Sequence, residues 1–524
     1  MPKQQTDHLF QLIKSLSKSE KRNFRLYVNR MRSGEGAKFL QLFDILDKQE
    51  EYNEKAVLEK SKDIKPQQLS NLKAHLYKQL LKSLRLKQVA SDPEISIRET
   101  IDYARVLYNK SLYSQALKLL EKARLQAENN QRHILKMEII EFEKNVEMQY
   151  ITKSLDNRTD ELIGESLETA HQIASSQKYS NLALKLYSLY LKIGSARNKK
   201  DMLAVSSFFN SRFEPPDDIS KCSFYEKLHI YQSYVWYYYI IQDFLMCYKY
   251  AAKWVELFRE NRGMISLQTD MYLKGMNNLL GALHMLRYHS KFEAELEHLK
   301  GLTSDESISF NDNNTMLYYM FSYTHSINHH FLEGTFDEGL MLVDDISHFI
   351  SLYSRNLDNH RVLVFYYKLA SLYFGSGDFR SALRYVNYVL NYKDISLRGD
   401  IHSFARLLNL VTHFELGNDE LVEYQVKSTY RFLSKMENLQ EVQRYILDFL
   451  RRLRQVRADQ LKDEFVRLKD KLMGLESNPF EKRAFLYLDI ISWLESKIEE
   501  RPVQDVIREK ALKERQSARS YPTK

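Results

Sequence analysis

Four side chains capable of acid–base or metal chemistry crowd one short stretch: His325, His329, His330 and Glu333. His325, His329 and Glu333 fall at i, i+4 and i+8, one face of a helix, and imidazole and carboxylate groups so placed suit zinc. At about 1.5 Å of rise per residue, however, the first and last stand about 12 Å apart, too far for one ion. Zinc would need His325 and His329 plus a ligand from a neighbouring helix. The reading adopted is polar packing between helices, with no metal and no cofactor. The chain has no Gly-x4-Gly-Lys-Ser/Thr phosphate loop, no Gly-x-Ser-x-Gly elbow and no His-Glu-x-x-His pair. Gly375, Ser376 and Gly377 read as the turn between the two helices of a hairpin. Cys222 and Cys247, the only two cysteines, are too few for a thiol metal site and read as small buried hydrophobes. No catalytic residue is assigned, and an enzyme is the weakest of three readings.

Charge offers a second kind of chemistry. The formal net charge is +8, and residues 1–92 alone carry 19 Lys and Arg against 11 Asp and Glu. Residues 501–524 carry 7 against 3, so the middle of the chain is slightly acidic. Lys78, Lys82 and Arg85 share one side of a predicted helix and are the candidate contacts to phosphates or an acidic partner. The competing reading is a solvated Lys-rich face. Neither a helix-turn-helix with a short Gly-containing turn nor an RNA-recognition sheet signature is visible.

The elements that would hold these groups are helical. Gly (15) and Pro (8) are scarce in 524 residues, which disfavours loop-rich β folds and Gly-turn nucleotide enzymes. Ser17 and Glu20 have capping-box spacing before a helix with Phe24, Tyr27, Val28 and Met31 on one face, ended by Gly34 and Gly36. Phe39, Leu42, Phe43 and Leu46 predict another, and Asn53 caps a short third. Pro66 opens a long helix with the stripe Leu69, Leu72, Leu76, Leu80 and Leu84. Tyr445, Phe449 and Leu450 lie in long helices over 437–475. Asn478 and Pro479 start a capping helix carrying Phe485, Leu486, Leu488, Ile491 and Leu494. The organisation expected is a basic N-terminal domain (1–92), a repeat array (93–476), a capping helix (477–500) and a charged, flexible tail (501–524). No secretory signal or bilayer-length apolar run is visible, so the expected location is the cytoplasm.

From Pro93 onward small residues recur. Ala104, Ala116 and Ala123 fall 12 and 7 residues apart, and Ala370, Ala382 and Val389 repeat that spacing with Gly377 in the turn between the two helices. Small side chains let the two helices of a hairpin approach while larger ones fill the groove to the next. The run YYKLASLY (366–373) followed by GDFRSALRYV (377–386) resembles the tetratricopeptide repeat. YARVL (103–107) followed by YSQAL (113–117) is similar. Weaker copies occur at Val235, Phe244, Cys247 and Ala251, at Gly334, Phe336, Gly339, Val343 and Ile346, and near Gly417. Segments 161–194 and 271–299 fit only as helix pairs. The spacing of 43 residues from Gly339 to Ala382 exceeds the family's usual period, as in variants with long helices.

The resemblance implies an all-α fold: an α-solenoid of tetratricopeptide-like hairpins whose concave face holds a protein or peptide partner. The leading expectation is a non-enzymatic scaffold or adaptor. The alternative is a regulator whose basic residues 1–92 bind nucleic acid while the repeats sense a partner, an arrangement similar to that of repeat-containing bacterial transcription regulators. Tyr231, Tyr234, Trp236, Tyr237, Tyr238 and Tyr239 surround one predicted helix, to be buried between neighbours or to line an aromatic groove.

Overall fold

A chain so poor in breakers must place each one where a helix begins or ends. The computed structural model describes residues 7–30, 35–61, 64–149, 157–305, 308, 310–354, 356–392, 399–435, 440–453, 456–475, 478, 480–481, 485 and 489–520. Among these residues every regular element is a helix and no strand occurs. They form two compact units, Met1–Ile173 and Ala174–Lys524.

The first unit comprises α1 (His8–Ser15), α2 (Lys18–Asn29), α3 (Glu35–Lys48), α4 (Glu54–Lys60) and α5 (Pro66–Gln88), then α6 (Pro93–Asn109), α7 (Tyr113–Asn129) and α8 (His133–Gln149). The Glu20 amide donates to the Ser17 hydroxyl (3.2 Å), and the Ser17 amide donates to the Glu20 carboxylate (2.8 Å), so the capping box starts α2. Pro66 and Pro93 occupy first turns, where a missing N–H costs nothing, and Asn53 caps α4. One expectation is corrected and one helix is added. Gly36 lies inside α3 instead of ending α2, with Met31 and Gly34 outside the described residues. Asp7 caps a helix, α1, that the apolar spacing did not announce. Residues 92 and 93, expected to divide two domains, fall within this unit. They lie between two apolar clusters, one built on Leu9, Phe24, Phe43 and Leu76 and the other on Ile97, Ala104, Leu120 and Ile139.

α9 (Arg158–Ile193) is one helix of 36 residues, not the pair expected there, with residues 158–173 in the first unit and 174–193 in the second. The second unit continues with α10 (Lys199–Asn210), α11 (Phe224–Ile240), α12 (Phe244–Glu260), α13 (Arg262–Leu267), α14 (Thr269–Met285) and α15 (His289–Gly301). Next come α16 (Asp312–Glu333), α17 (Phe336–Gly339), α18 (Val343–Leu352), α19 (Asn359–Ser376), α20 (Phe379–Leu390), α21 (Gly399–Glu415) and α22 (Asp419–Lys435). α23 (Glu441–Arg452), α24 (Leu461–Met473), α25 (Ile490–Glu499) and α26 (Val503–Ser520) complete it. Each helix packs chiefly on its chain neighbours and on the next-but-one helix, as α12 does on α11 and α14. α26 is the exception: besides α25 it packs on α15, α16 and α19, far back in the chain. The expected flexible tail is therefore a helix over 503–520, because Val506, Ile507 and Ala511 give it a buried stripe. Within the expected capping helix the described helical element is Ile490–Glu499; Pro479, Leu486 and Leu488 lie outside the described residues.

One turn geometry recurs between paired helices. Ser111, Gln131, Gln242, Arg287, Gly334 and Gly417 all have positive φ, between 53° and 69°. In each case the next amide closes a six-residue turn onto the helix just ended, as Leu112 N–H does on the Leu107 carbonyl and Tyr288 N–H on that of Leu283 (both 3.0 Å). Gly377 is left-handed at the corresponding place after α19. From Gln242 to Gly417 these residues stand 45, 47, 43 and 40 apart, an interval wider than that of short-helix repeats.

Close approach also shapes the core. A Cβ on Gly375 would overlap a ring carbon of Phe336, itself buried between α16 and α19. The helical Gly281 faces open space. Gly375→Ala should therefore lower stability by about 1–3 kcal/mol in urea unfolding. Gly281→Ala should raise it by about 0.4–1 kcal/mol through a less flexible unfolded chain.

Candidate protein-interaction face

The six small residues singled out for packing occupy helix contacts and a turn. Ala104, Ala116, Ala123, Ala370 and Ala382 are fully buried, and Gly377 ends α19 in the left-handed conformation. Cys247 takes the equivalent place in α12, with its thiol 3.8 Å from the Val235 carbonyl, whereas Cys222 is only half-buried beside a short 3-10 turn. Lys78, Lys82 and Arg85 are all exposed on α5. Arg85 approaches Asp102 at 3.6 Å, while Lys78 and Lys82 form no ion pair with a described residue.

The aromatic helix α11 packs on several neighbours. Tyr234 stacks on Tyr250 (4.0 Å between centroids), Tyr237 on Phe209 (4.2 Å) and Trp236 on Tyr190 (5.3 Å). Phe209 is buried and the other five rings are half-buried against the core.

The histidine cluster disperses. The Lys368 ammonium donates to Asn328 Oδ1, the Asn328 amide donates to His325 Nδ1 (3.3 Å), and His325 Nε2–H donates to Asn277 Oδ1 (3.0 Å). This relay crosses α19, α16 and α14, and its direction requires neutral His325 protonated on Nε2. Burial pushes the imidazole down to about 3, consistent with that tautomer. His329 stacks on the Phe292 ring, and His330 pairs with the Thr335 hydroxyl (2.8 Å). Glu333 turns toward α15 and α26. Among the described residues no three His, Cys, Asp or Glu side chains converge as a metal ion needs.

Glu333 opens the site that spacing alone did not reveal. The turns after α14 and α16 form an edge, and α26 lies along it. His289, at the start of α15, places Nδ1 2.8 Å from Glu333 and Nε2 2.8 Å from Glu514 of α26. Arg287 Nε donates to Glu514 (2.9 Å), and Arg515 Nη2 donates to both Glu333 (2.8 Å) and Glu293 (3.0 Å). Gln504 donates to Asp337 (2.8 Å), and the Arg508 guanidinium reaches the Gly334 carbonyl at the end of α16 (3.4 Å). Burial would raise the Glu333 carboxyl, but hydrogen bonds from His289 and Arg515 overcome it and hold it down at about 2. Burial would likewise lower His289, and its two carboxylate partners overcome that and raise it. The only sequence signals for this edge were the +4 charge of residues 501–524 and the apolar residues Val503 and Ile507 four apart.

No known protein family, curated protein or solved structure matches the chain.

A neutral imidazole has one N–H and can donate to only one of Glu333 and Glu514. Around His289 stand these carboxylates, Arg287, Arg515, Glu293 and the neutral His284. Because folding raises the His289 pKa, its contribution is complete below about 6.5 and fades as pH rises through the folded value. The lowered Glu333 and Glu514 contribute above about 4.5 and lose that contribution as pH falls. His289→Gln should therefore cost about 1.5–3 kcal/mol near pH 5.5. The gap to the natural chain should shrink by pH 8.5, as read in paired urea titrations.

Proposed function

We propose that the protein is a non-enzymatic, cytoplasmic scaffold or adaptor that binds protein partners on stacked, tetratricopeptide-like helical hairpins. The observation that carries this reading is the seating of α26, a mobile-looking charged segment by composition, on the edge of other helical pairs through side-chain ion pairs. A surface that recognises one amphipathic helix has the chemistry to recognise others. The side chains best suited to catalysis support the same view, since His325, His329, His330 and Glu333 are each committed to packing or ion-pair partners. Rigid aromatic rings are available as anchors. Tyr319 on α16 is 39 % exposed and braced by Tyr318 and Tyr323.

The test is affinity purification of the full chain from its native cell, with cross-linking of the co-purified complex. The expected result is a stoichiometric protein partner cross-linked to the second unit, with Tyr319→Ala weakening binding about tenfold. A chain that enriches no protein or peptide would overturn the reading.

A second reading rests on Lys78 and Lys82, exposed one turn apart and without an ion-pair partner among the described residues. In that reading residues 1–92 bind nucleic acid. Complexes in a gel-shift series should then weaken steeply with salt, by a log–log slope of about −0.9 per neutralised phosphate on duplex DNA. Lys78→Glu with Lys82→Glu should abolish them, and no complex near physiological salt would remove this reading.

A further inference from the structure

We propose that the turn edge of α14–α15 and α16–α17 is a docking site for a basic amphipathic helix, and that α26 occupies it in cis as a ligand that a partner helix of the same chemistry displaces. The proposal rests on the interaction role above and specifies its site and partner.

The edge is electronegative by construction. α14 and α16 both end there, and the carbonyl end of a helix carries partial negative charge. Glu293, Glu333 and Asp337 add carboxylates. α26 answers with Arg508 on the end of α16 and Arg515 between two of the acids. One element of opposite sign completes the match: Glu514, received by Arg287 and His289. The code is thus an apolar pair at i and i+4 (Val503, Ile507), a cation at i+5 (Arg508) and an acid–base couple at i+11 and i+12 (Glu514, Arg515).

The seat is shaped for a backbone as well as for charges. A Cβ on Gly334 would lie 2.5 Å from the Arg508 amide nitrogen and 2.6 Å from the Gln504 carbonyl oxygen. The left-handed turn and the docked helix therefore both require glycine at this position.

Val506, Ile507 and Ala511 of α26 are buried and Lys510 pairs with Glu495 of α25 (2.6 Å), but its hold on the edge itself is mainly polar. Of its described side chains only Ile507 joins the main apolar cluster of the second unit, with Val503 half-buried beside it. Its remaining contacts to the edge are hydrogen bonds and ion pairs, the balance found in transient interfaces. Beneath it a cavity of about 100 Å³ remains, lined by Phe331, Phe336, Phe374, Val503 and Ile507 among others. A partner helix with a longer apolar side chain in place of Ile507 would fill that space and outcompete the resident helix. Three residues join α25 to α26, the first being Glu500 in the left-handed conformation, so displacement means rotation at this link with loss of the Lys510–Glu495 pair to α25 (2.6 Å).

The experiment uses the full chain with a specific protease site inserted between Glu500 and Val503. The folded chain is cut, and a fluorescent synthetic peptide of residues 503–520 is added. The uncut chain should bind the peptide at least tenfold more weakly than the cut chain. On the cut chain the Ile507→Met peptide should bind at least threefold more tightly than the natural one, and the Arg515→Glu peptide at least tenfold more weakly. Circular dichroism should show the cut chain still helical after exchange. A folded cut chain that never exchanges its own helix would overturn the proposal, and so would unfolding when that helix leaves, because α26 would then be an integral part of the core. Either outcome leaves co-purification of a partner with the intact chain as the separate test of the interaction role.

Discussion

The second unit depends on how closely two helices of a pair can approach after a tight reversal. The reversal is a left-handed residue followed by an amide that reaches back to the last turn, which removes an unsatisfied carbonyl and points the next helix back along the first. The approach is set by Ala370 and Ala382, Gly375 under Phe336, and Cys247 facing Val235. Larger side chains at these points would separate the helices and open voids, each costly because protein interiors are packed like crystals. Everything at the edge, from the place of His289 to the direction of the Gly334 carbonyl toward Arg508, follows from where those reversals fall.

Helix type and several caps were legible in the sequence because each has a local cause. Ser17 with Glu20, Asn53, Pro66 and Pro93 act within one turn of themselves. The turns were half legible. Gly334, Gly377 and Gly417 mark them by residue type, but Ser111, Gln131, Gln242 and Arg287 adopt the same conformation with ordinary side chains. A left-handed non-glycine residue costs about 1–2 kcal/mol, which the surrounding packing must offset, and no local pattern reports that compensation.

The edge was illegible for a different reason. His289, Glu333 and Glu514 are separated by 44 and 181 positions, and no periodicity links them. The i, i+4, i+8 spacing of His325, His329 and Glu333 was real, yet the three side chains diverge to Asn277, Phe292 and His289 once neighbouring helices are in place. Composition misled in the tail. Charge that suggests a solvated segment in isolation matches carboxylates and helix ends when the chain folds back, and Val506, Ile507 and Ala511 supply just enough apolar surface to seat it.

Arg287 joins two of these themes. Its backbone bears the unfavourable left-handed angle while its guanidinium grips Glu514. Glycine at this position would relax the reversal and strip the clamp in a single change, so the whole protein could melt at a higher temperature while its last helix came loose. Rigidity of the scaffold and retention of its end segment are thus opposed at one residue.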